Sequence, residues 1–115
     1  MKMEKTFETN WNELWPIINV LNEVCHGVNI NNFEKEVGYK YEEIHSLLRK
    51  VNSYETKDEE LKIHILLKLN DYEIMIIERS FDEVFKQIDE WEFQARIGIS
   101  VQEAIKIKDK IKQLS

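Results

Sequence analysis

The sequence contains little cysteine, proline or glycine. Its single cysteine, Cys25, has no partner for a disulfide within the chain, and one proline and three glycines argue against a disordered composition. The sequence also lacks a signal-peptide pattern and any apolar run of bilayer-spanning length. We therefore expect a folded cytoplasmic protein that does not associate with membranes.

Familiar catalytic motifs are missing as well. The sequence has no glycine-rich phosphate loop, no G-x-S-x-G, no H-E-x-x-H and no C-x-x-C. Cys25 and His26 are neighbours that point apart on a helix, which disfavours a zinc site built on them. We expect no metal, no cofactor and no enzymatic activity, and an enzyme with an unfamiliar site is the least favoured hypothesis.

Acidic charge is what the sequence has in excess. Its 22 Asp and Glu residues against 16 Lys and Arg give a formal net charge of −6, which argues against an extensive phosphate-binding surface. With 115 residues, 43% of them hydrophobic, the chain is long enough to bury one core. We predict a single domain covering residues 1–115.

Residues 61–79 carry the clearest structural pattern. Apolar residues occupy every second position from Leu61 to Leu69, which is the period of a strand buried on one face. With a two-residue turn at Asn70-Asp71, this strand would pair with Tyr72 to Glu78 in an antiparallel hairpin. The hairpin would bury one row of side chains: Ile65, Leu67, Ile74 and Ile76.

Two strands alone are only marginally stable, so we expect a third strand beside the hairpin. It would come from Lys2 to Thr9, from Val51 to Thr56, or from a second copy of the chain. The last case would make the protein a homodimer.

The N-terminal half is predicted to be helical. Apolar residues at three- and four-residue steps from Trp11 to Cys25 indicate an amphipathic helix that ends at Gly27. A short helix over Phe33 to Val37, a turn at Gly38 and a helix over Tyr41 to Val51 then give a helix-turn-helix-like outline.

The C-terminal part is predicted to form two capped helices. Ser80 to Glu83 and Ser100 to Glu103 both match the capping box S-x-x-E, and each precedes an apolar stripe. The first stripe includes Trp91, which we therefore expect in the core together with Trp11 and Trp15. The alternative is that one of the three tryptophans is partly exposed, because Trp is favoured at binding hot spots. The predicted fold is α+β, with a helix-turn-helix-like N-terminal half, a central antiparallel β-hairpin and two C-terminal helices.

The favoured function is binding to another protein. The helix after Ser80 would present acidic residues that suit a basic surface on a partner. These residues are Asp82, Asp89, Glu90 and Glu92. The protein would then act as an inhibitor, and the layout is similar in general form to immunity proteins that neutralise nuclease toxins and to phage proteins that block CRISPR nucleases.

The alternative function is DNA binding by a winged-helix transcriptional regulator. The helix over Tyr41 to Val51 would be the recognition helix, and the hairpin would be the wing. The residues that would contact nucleic acid are Lys40, His45, Arg49 and Lys50. Glu42 and Glu43 lie on the same helix and would repel phosphates, which makes this the second choice.

Overall fold

The computed structural model describes residues 4–27, 38–55 and 57–114. In these residues the chain forms two strands and six α-helices. The elements are β1 (Glu4–Thr9), α1 (Trp11–Asn22), a π-helical turn (Glu23–Gly27), α2 (Tyr41–Asn52), α3 (Glu59–Ile63), β2 (Ile65–Asn70), α4 (Asp71–Gln87), α5 (Glu90–Ile97) and α6 (Val101–Lys112). The α+β class is confirmed, with an antiparallel strand pair and helices at the C-terminal end.

The two strands come from distant parts of the sequence. β1 pairs antiparallel with β2, and the register places Phe7 opposite Leu67. Ile65, Leu67 and Leu69 are buried, as their alternation predicted. β1 corresponds to the segment proposed as a third strand, but it is the direct partner of β2.

The predicted second strand of the hairpin is wrong, because Tyr72 to Glu78 belong to α4. Asn70 is the N-cap of this helix and not a turn residue. Its side-chain oxygen accepts a hydrogen bond from the Glu73 amide at 2.8 Å, and the Glu73 carboxylate accepts one from the Asn70 amide at 2.9 Å. This reciprocal capping box satisfies two amides that would otherwise be unpaired, so the chain passes from strand to helix at Asn70.

The apolar residues of α4 fit a helical period. Ile74, Ile77, Phe81 and Val84 are spaced by three or four residues, and all are buried. Ile76 is buried too, but Ile74 and Ile76 reach the core from a helix and not as strand partners of Leu67 and Ile65.

The predicted helix start at Ser80 is also wrong. Ser80 lies inside α4, and its hydroxyl donates a hydrogen bond to the Ile76 carbonyl at 2.8 Å. A serine within a helix often bonds back in this way to the carbonyl four residues earlier, so the S-x-x-E pattern is not a cap here. The helix start predicted at Ser100 is confirmed, because the Ser100 hydroxyl accepts a hydrogen bond from the Glu103 amide at 3.2 Å and caps α6. The Glu103 carboxylate accepts a hydrogen bond from the Ser100 hydroxyl, so the contact is not the reciprocal capping box.

The first part of the predicted strand is the short helix α3. Asp58 caps it by accepting hydrogen bonds from the amides of Glu60 and Leu61. Leu61 and Ile63 are consequently exposed instead of lying in a buried row.

The helical character of the N-terminal half is confirmed by α1, the π-helical turn and α2. The described part of the helical segment reaches Gly27, beyond which the described residues resume at Gly38. Gly38 adopts the expected left-handed conformation with φ of 87°. The predicted helix Phe33 to Val37 lies outside the described residues. Residues 51–55 end α2 and form a turn, and they do not form the strand proposed there.

The helices pack around α1 and α4. α1 contacts α2, α4 and α5, while α6 packs along α4. Lys110 of α6 lies 2.6 Å from the Glu13 carboxylate of α1, and Lys108 forms an ion pair with Asp82 of α4. Apolar packing and surface ion pairs therefore fix the C-terminal helix on the rest of the core.

Asp71 tests the passage from strand to helix. Its side chain is 62% exposed and lies 3.2 Å from the Lys5 ammonium. Asp71→Gly creates Asn-Gly, the favoured two-residue hairpin turn, but it removes a carboxylate from the positive end of α4 and adds backbone freedom. We expect this change to lower the free energy of unfolding by about 1 kcal/mol in urea denaturation.

Asp71→Ala is the control, because it removes the same charge but introduces alanine, which has a high helix propensity. It should lose less stability than Asp71→Gly. A more stable Asp71→Gly variant would contradict the helical start and support a hairpin.

Candidate functional site

The helix α5 is held on the core by two buried residues. Phe93 and Ile97 are four residues apart on one face, and both are almost fully buried. The Phe93 ring stacks on Phe85 of α4, with ring centroids 5.6 Å apart and an interplanar angle of 21°. This face of α5 is therefore fixed by apolar packing.

Polar contacts fix the C-terminal end of α5. The Arg96 guanidinium forms two-pronged hydrogen bonds with the Glu23 carboxylate in the π-helical turn, with Nη2 2.7 Å from Oε2. The Asn19 side-chain amide donates a hydrogen bond to the Ile97 carbonyl at 2.8 Å. Since Glu23 is largely buried, this geometry orients α5 more strongly than an exposed ion pair would.

The opposite face of α5 carries Trp91, whose side chain is 80% exposed. The prediction that Trp91 belongs to the core is wrong. The chain is extended at Ile88, with φ of −107° and ψ of 125°, so the helix that contains Phe81 ends before Trp91. A new helix starts after Asp89, and its changed phase turns Trp91 outward.

A second helix start in the sequence could have predicted that Trp91 is exposed. The capping-box pattern at Ser80 instead favoured one continuous helix through Trp91. Asp89 and Glu92 match the N-cap and third positions of a capping box, and so indicate a new helix start. A start at Glu90 would have placed Phe93 and Ile97 on the buried face, and Trp91 away from it.

Of the four acidic residues predicted to bind a partner, three lie around Trp91. Asp89 and Glu90 are exposed, and Asp89 makes no capping hydrogen bond through its side chain. The Glu92 carboxylate lies 3.7 Å from the Arg96 guanidinium, which offsets part of its charge. Asp82 is separate: it pairs with Lys108 and lines a groove with Arg79 and Lys112.

An apolar groove lies beside this acidic segment. It has a volume of about 360 Å³ and is formed where the end of α4, the start of α5 and α6 meet. Its lining residues are Phe85, Ile88, Glu90, Phe93, Val101 and Ile105. Ile105 is 45% exposed, so the groove presents apolar surface next to the Glu90 carboxylate.

The residues of the alternative nucleic-acid-binding surface lie along α2, but they differ in availability. Lys40 and Arg49 are exposed. The Lys50 ammonium lies 2.9 Å from both carboxylate oxygens of Glu73, so its charge is used within the fold. The His45 ring stacks on Tyr41, with ring centroids 5.7 Å apart.

Further contacts tie α2 to the start of α4. The Tyr72 hydroxyl donates a hydrogen bond to the Glu43 carboxylate, and the Tyr39 and Tyr72 rings meet edge to face at 5.0 Å. The face of α2 that bears Glu43 and Lys50 is therefore occupied by α4. The hairpin expected as a wing is a strand followed by this helix.

The cysteine and histidines show little sign of metal or nucleophilic chemistry. Partial burial raises the pKa of Cys25 to about 11, which keeps the thiol protonated at neutral pH. His26 and His45 do meet, with ring centroids 5.8 Å apart. Across the described ranges, however, no three His, Cys, Asp or Glu side chains are grouped to hold a metal.

None of the helices in the described part of the chain is both long and apolar enough to span a bilayer. Comparison with protein-family models, curated proteins and solved structures gives no match to this chain. We therefore infer the function from the geometry of the outer face of α5.

Trp91 and Phe93 provide a test of this geometry. Trp91→Ala should change the free energy of unfolding by less than about 0.5 kcal/mol, because the side chain is mostly in solvent. Phe93→Ala should lower it by about 3–5 kcal/mol, because it empties a buried site. Chemical denaturation of both variants is the measurement, and equal losses would contradict the outward position of Trp91.

Tyr72 gives a test of the contact between α2 and α4. The hydrogen bond to Glu43, with some desolvation, raises the pKa of Tyr72 from 10.0 to about 12. The fold thus favours the neutral phenol, so its contribution to stability is complete below about pH 10 and is lost as the pH rises through about 12. The difference in phenolate absorbance between the wild type and Tyr72→Phe isolates this titration.

Glu43→Gln is the matched variant, because an amide keeps an acceptor but removes the negative charge. It should move the pKa of Tyr72 back toward 10.0. An unchanged titration in Glu43→Gln would show that the carboxylate is not the cause.

Proposed function

We propose that this chain is a small protein-binding protein that uses the outer face of α5 to occupy a basic surface on a partner protein. The observation that carries the proposal is Trp91, which is 80% exposed on a helix whose other face is fixed. Tryptophan is enriched at the energetic centre of protein interfaces, because its burial removes a large apolar area from water. Because α5 is held on the core by its other face, the backbone at Trp91 loses little conformational entropy when the side chain is buried by a partner.

The charges around Trp91 favour a basic partner. Asp89 and Glu90 are exposed beside the tryptophan, in a chain of net charge −6. Exposed charges of one sign speed the approach of an oppositely charged surface and exclude acidic competitors. The apolar groove next to Glu90 would take an aliphatic or aromatic side chain of the partner.

An inhibitory action follows if the partner uses its basic surface to hold nucleic acid. A protein seated on that surface blocks nucleic acid by occupying its place and needs no catalytic group. This is the strategy of nuclease immunity proteins and of phage proteins that block CRISPR nucleases, and it is the kind of role that we propose here.

DNA binding through α2 has less support. Lys50 is neutralised by Glu73, and the residues expected to form a wing are helical. Lys40 and Arg49 are the two exposed cations of the four residues proposed for that function. They leave a small footprint for phosphate contacts.

The test is capture of the partner by immobilised protein from an extract of the source organism, followed by association kinetics. We expect Trp91→Ala to speed dissociation, and Asp89→Lys with Glu90→Lys to slow association and reduce its dependence on salt. Trp91→Ala should leave the melting temperature nearly unchanged, because its side chain is exposed. The double reversal should lower it modestly, because it places two cations at the positive end of α5, so the kinetics are compared at a temperature where both variants are folded.

The control is Glu4→Lys with Glu8→Lys, which makes the same charge change at two exposed residues of β1. It should retain the association rate more closely than the α5 reversal does. The proposal fails if capture and kinetics are the same in the wild type and both α5 variants. Salt-sensitive binding to duplex DNA that is lost in Lys40→Ala with Arg49→Ala would favour the alternative.

A further inference from the structure

A second cavity lies away from the outer face of α5. It is open to solvent, has a volume of about 590 Å³ and is bordered by the start of α1, the end of α5 and the start of α6. The lining residues that matter for its chemistry are Trp11, Trp15, Pro16, Glu55, Gly98 and Glu103. None of the other lining residues in the described part of the chain is a lysine, arginine or histidine.

Two indole rings form the aromatic part of this cavity. Trp11 and Trp15 are four residues apart on α1, with ring centroids 5.7 Å apart and planes inclined at 37°. Trp15 is 45% exposed, so part of its ring is available to a ligand. Gly98 has φ of 98°, and a Cβ built on it would lie 3.8 Å from Trp15, so the end of α5 lies close against this ring.

The same cavity is negatively charged. Glu55 and Glu103 contribute two exposed carboxylates. Glu103 is oriented by the Ser100 hydroxyl, which donates a hydrogen bond to its Oε1 at 3.1 Å. Aromatic faces attract cations through their quadrupole, and carboxylates add a direct electrostatic attraction.

We propose that this cavity binds a primary alkylammonium group, with the cation at the Trp11 and Trp15 rings and its N–H groups directed to Glu55 and Glu103. The group is carried either by a lysine side chain or by a free aliphatic amine. This site is independent of the protein-binding function proposed for α5, because it uses none of the residues around Trp91.

The test is an NMR titration with n-butylammonium, which reproduces the end of a lysine side chain. Each of the three tryptophans gives a separate indole N–H signal once assigned with single Trp→Phe variants. The signals of Trp11 and Trp15 should shift to saturation at lower n-butylammonium concentration than any shift of Trp91, which reports cation contact at an exposed indole outside the cavity. Neutral 1-butanol, of the same length, should produce much smaller shifts at Trp11 and Trp15.

Two variants separate charge from packing. Glu55→Gln with Glu103→Gln should weaken n-butylammonium binding by about fivefold or more. It preserves the capping of α6, because the Ser100 hydroxyl accepts from the backbone amide of residue 103. Trp15→Ala should weaken it through loss of the aromatic face. Glu4→Gln with Glu8→Gln, which changes the net charge equally, should alter the affinity by less than about twofold.

The proposal is overturned if 1-butanol shifts the same signals as strongly, if the two cavity variants bind as the wild type does, or if no saturation is reached. Nα-acetyl-lysine N-methylamide, whose side-chain ammonium is free, and 1,5-diaminopentane then identify the source of the ammonium group. Tighter binding of the lysine derivative supports a protein side chain as the ligand, and tighter binding of the diamine supports a free amine.

Discussion

The capping of α4 by Asn70 is the interaction on which the arrangement of the chain depends. Because Asn70 and Glu73 satisfy each other's amides, the apolar residues that follow form a helix and cannot pair with β2. β2 must then take its partner from elsewhere, and β1 supplies it from the N-terminus. β1 leads within two residues into α1, so the same pairing delivers α1 to the core beside α4.

The position of α1 in turn determines where α5 lies. Asn19 and the adjoining Glu23 hold the end of α5 through Ile97 and Arg96. Phe93 fixes the other end against α4. With both ends held on one side, the outer face of α5 needs no further packing, and Trp91 remains in solvent on a rigid support.

Hydrophobic periodicity predicted the structure correctly where the residues fit the period of a strand or of a helix alone. It was ambiguous where they fit both. The alternation in β2 predicted the buried face correctly, since Ile65, Leu67 and Leu69 are buried. Ile74 and Ile76 satisfy alternation as well, whereas the steps from Ile74 to Ile77 and Phe81 fit a helix. Over this short segment both periods fit, and the capping pattern at Asn70 is the feature that favours the helix.

The candidate site shows the same limit. Asp89, Glu90 and Glu92 were predicted together because they are close in sequence, and the structure does place them together on α5. Asp82 was grouped with them on the assumption of one continuous helix, and the extended backbone at Ile88 separates it. The cavity at Trp11 and Trp15 could not be predicted, since Glu55, Gly98 and Glu103 are brought to α1 only by tertiary packing.

Charge links the fold to both proposed surfaces. The ion pairs that join different elements in the described part of the chain include Lys5 with Asp71, Lys50 with Glu73, Arg96 with Glu23, Lys108 with Asp82 and Lys110 with Glu13. Each pair neutralises a cation inside the framework, so these lysines and this arginine offset little of the charge elsewhere on the surface. The net charge of −6 is therefore expressed at carboxylates outside the pairs, such as Asp89 and Glu90 on α5 and Glu55 at the tryptophan cavity. Both proposed surfaces combine exposed carboxylates with exposed indole rings, a combination that would attract cationic groups by long-range steering and retain them by contact with aromatic faces.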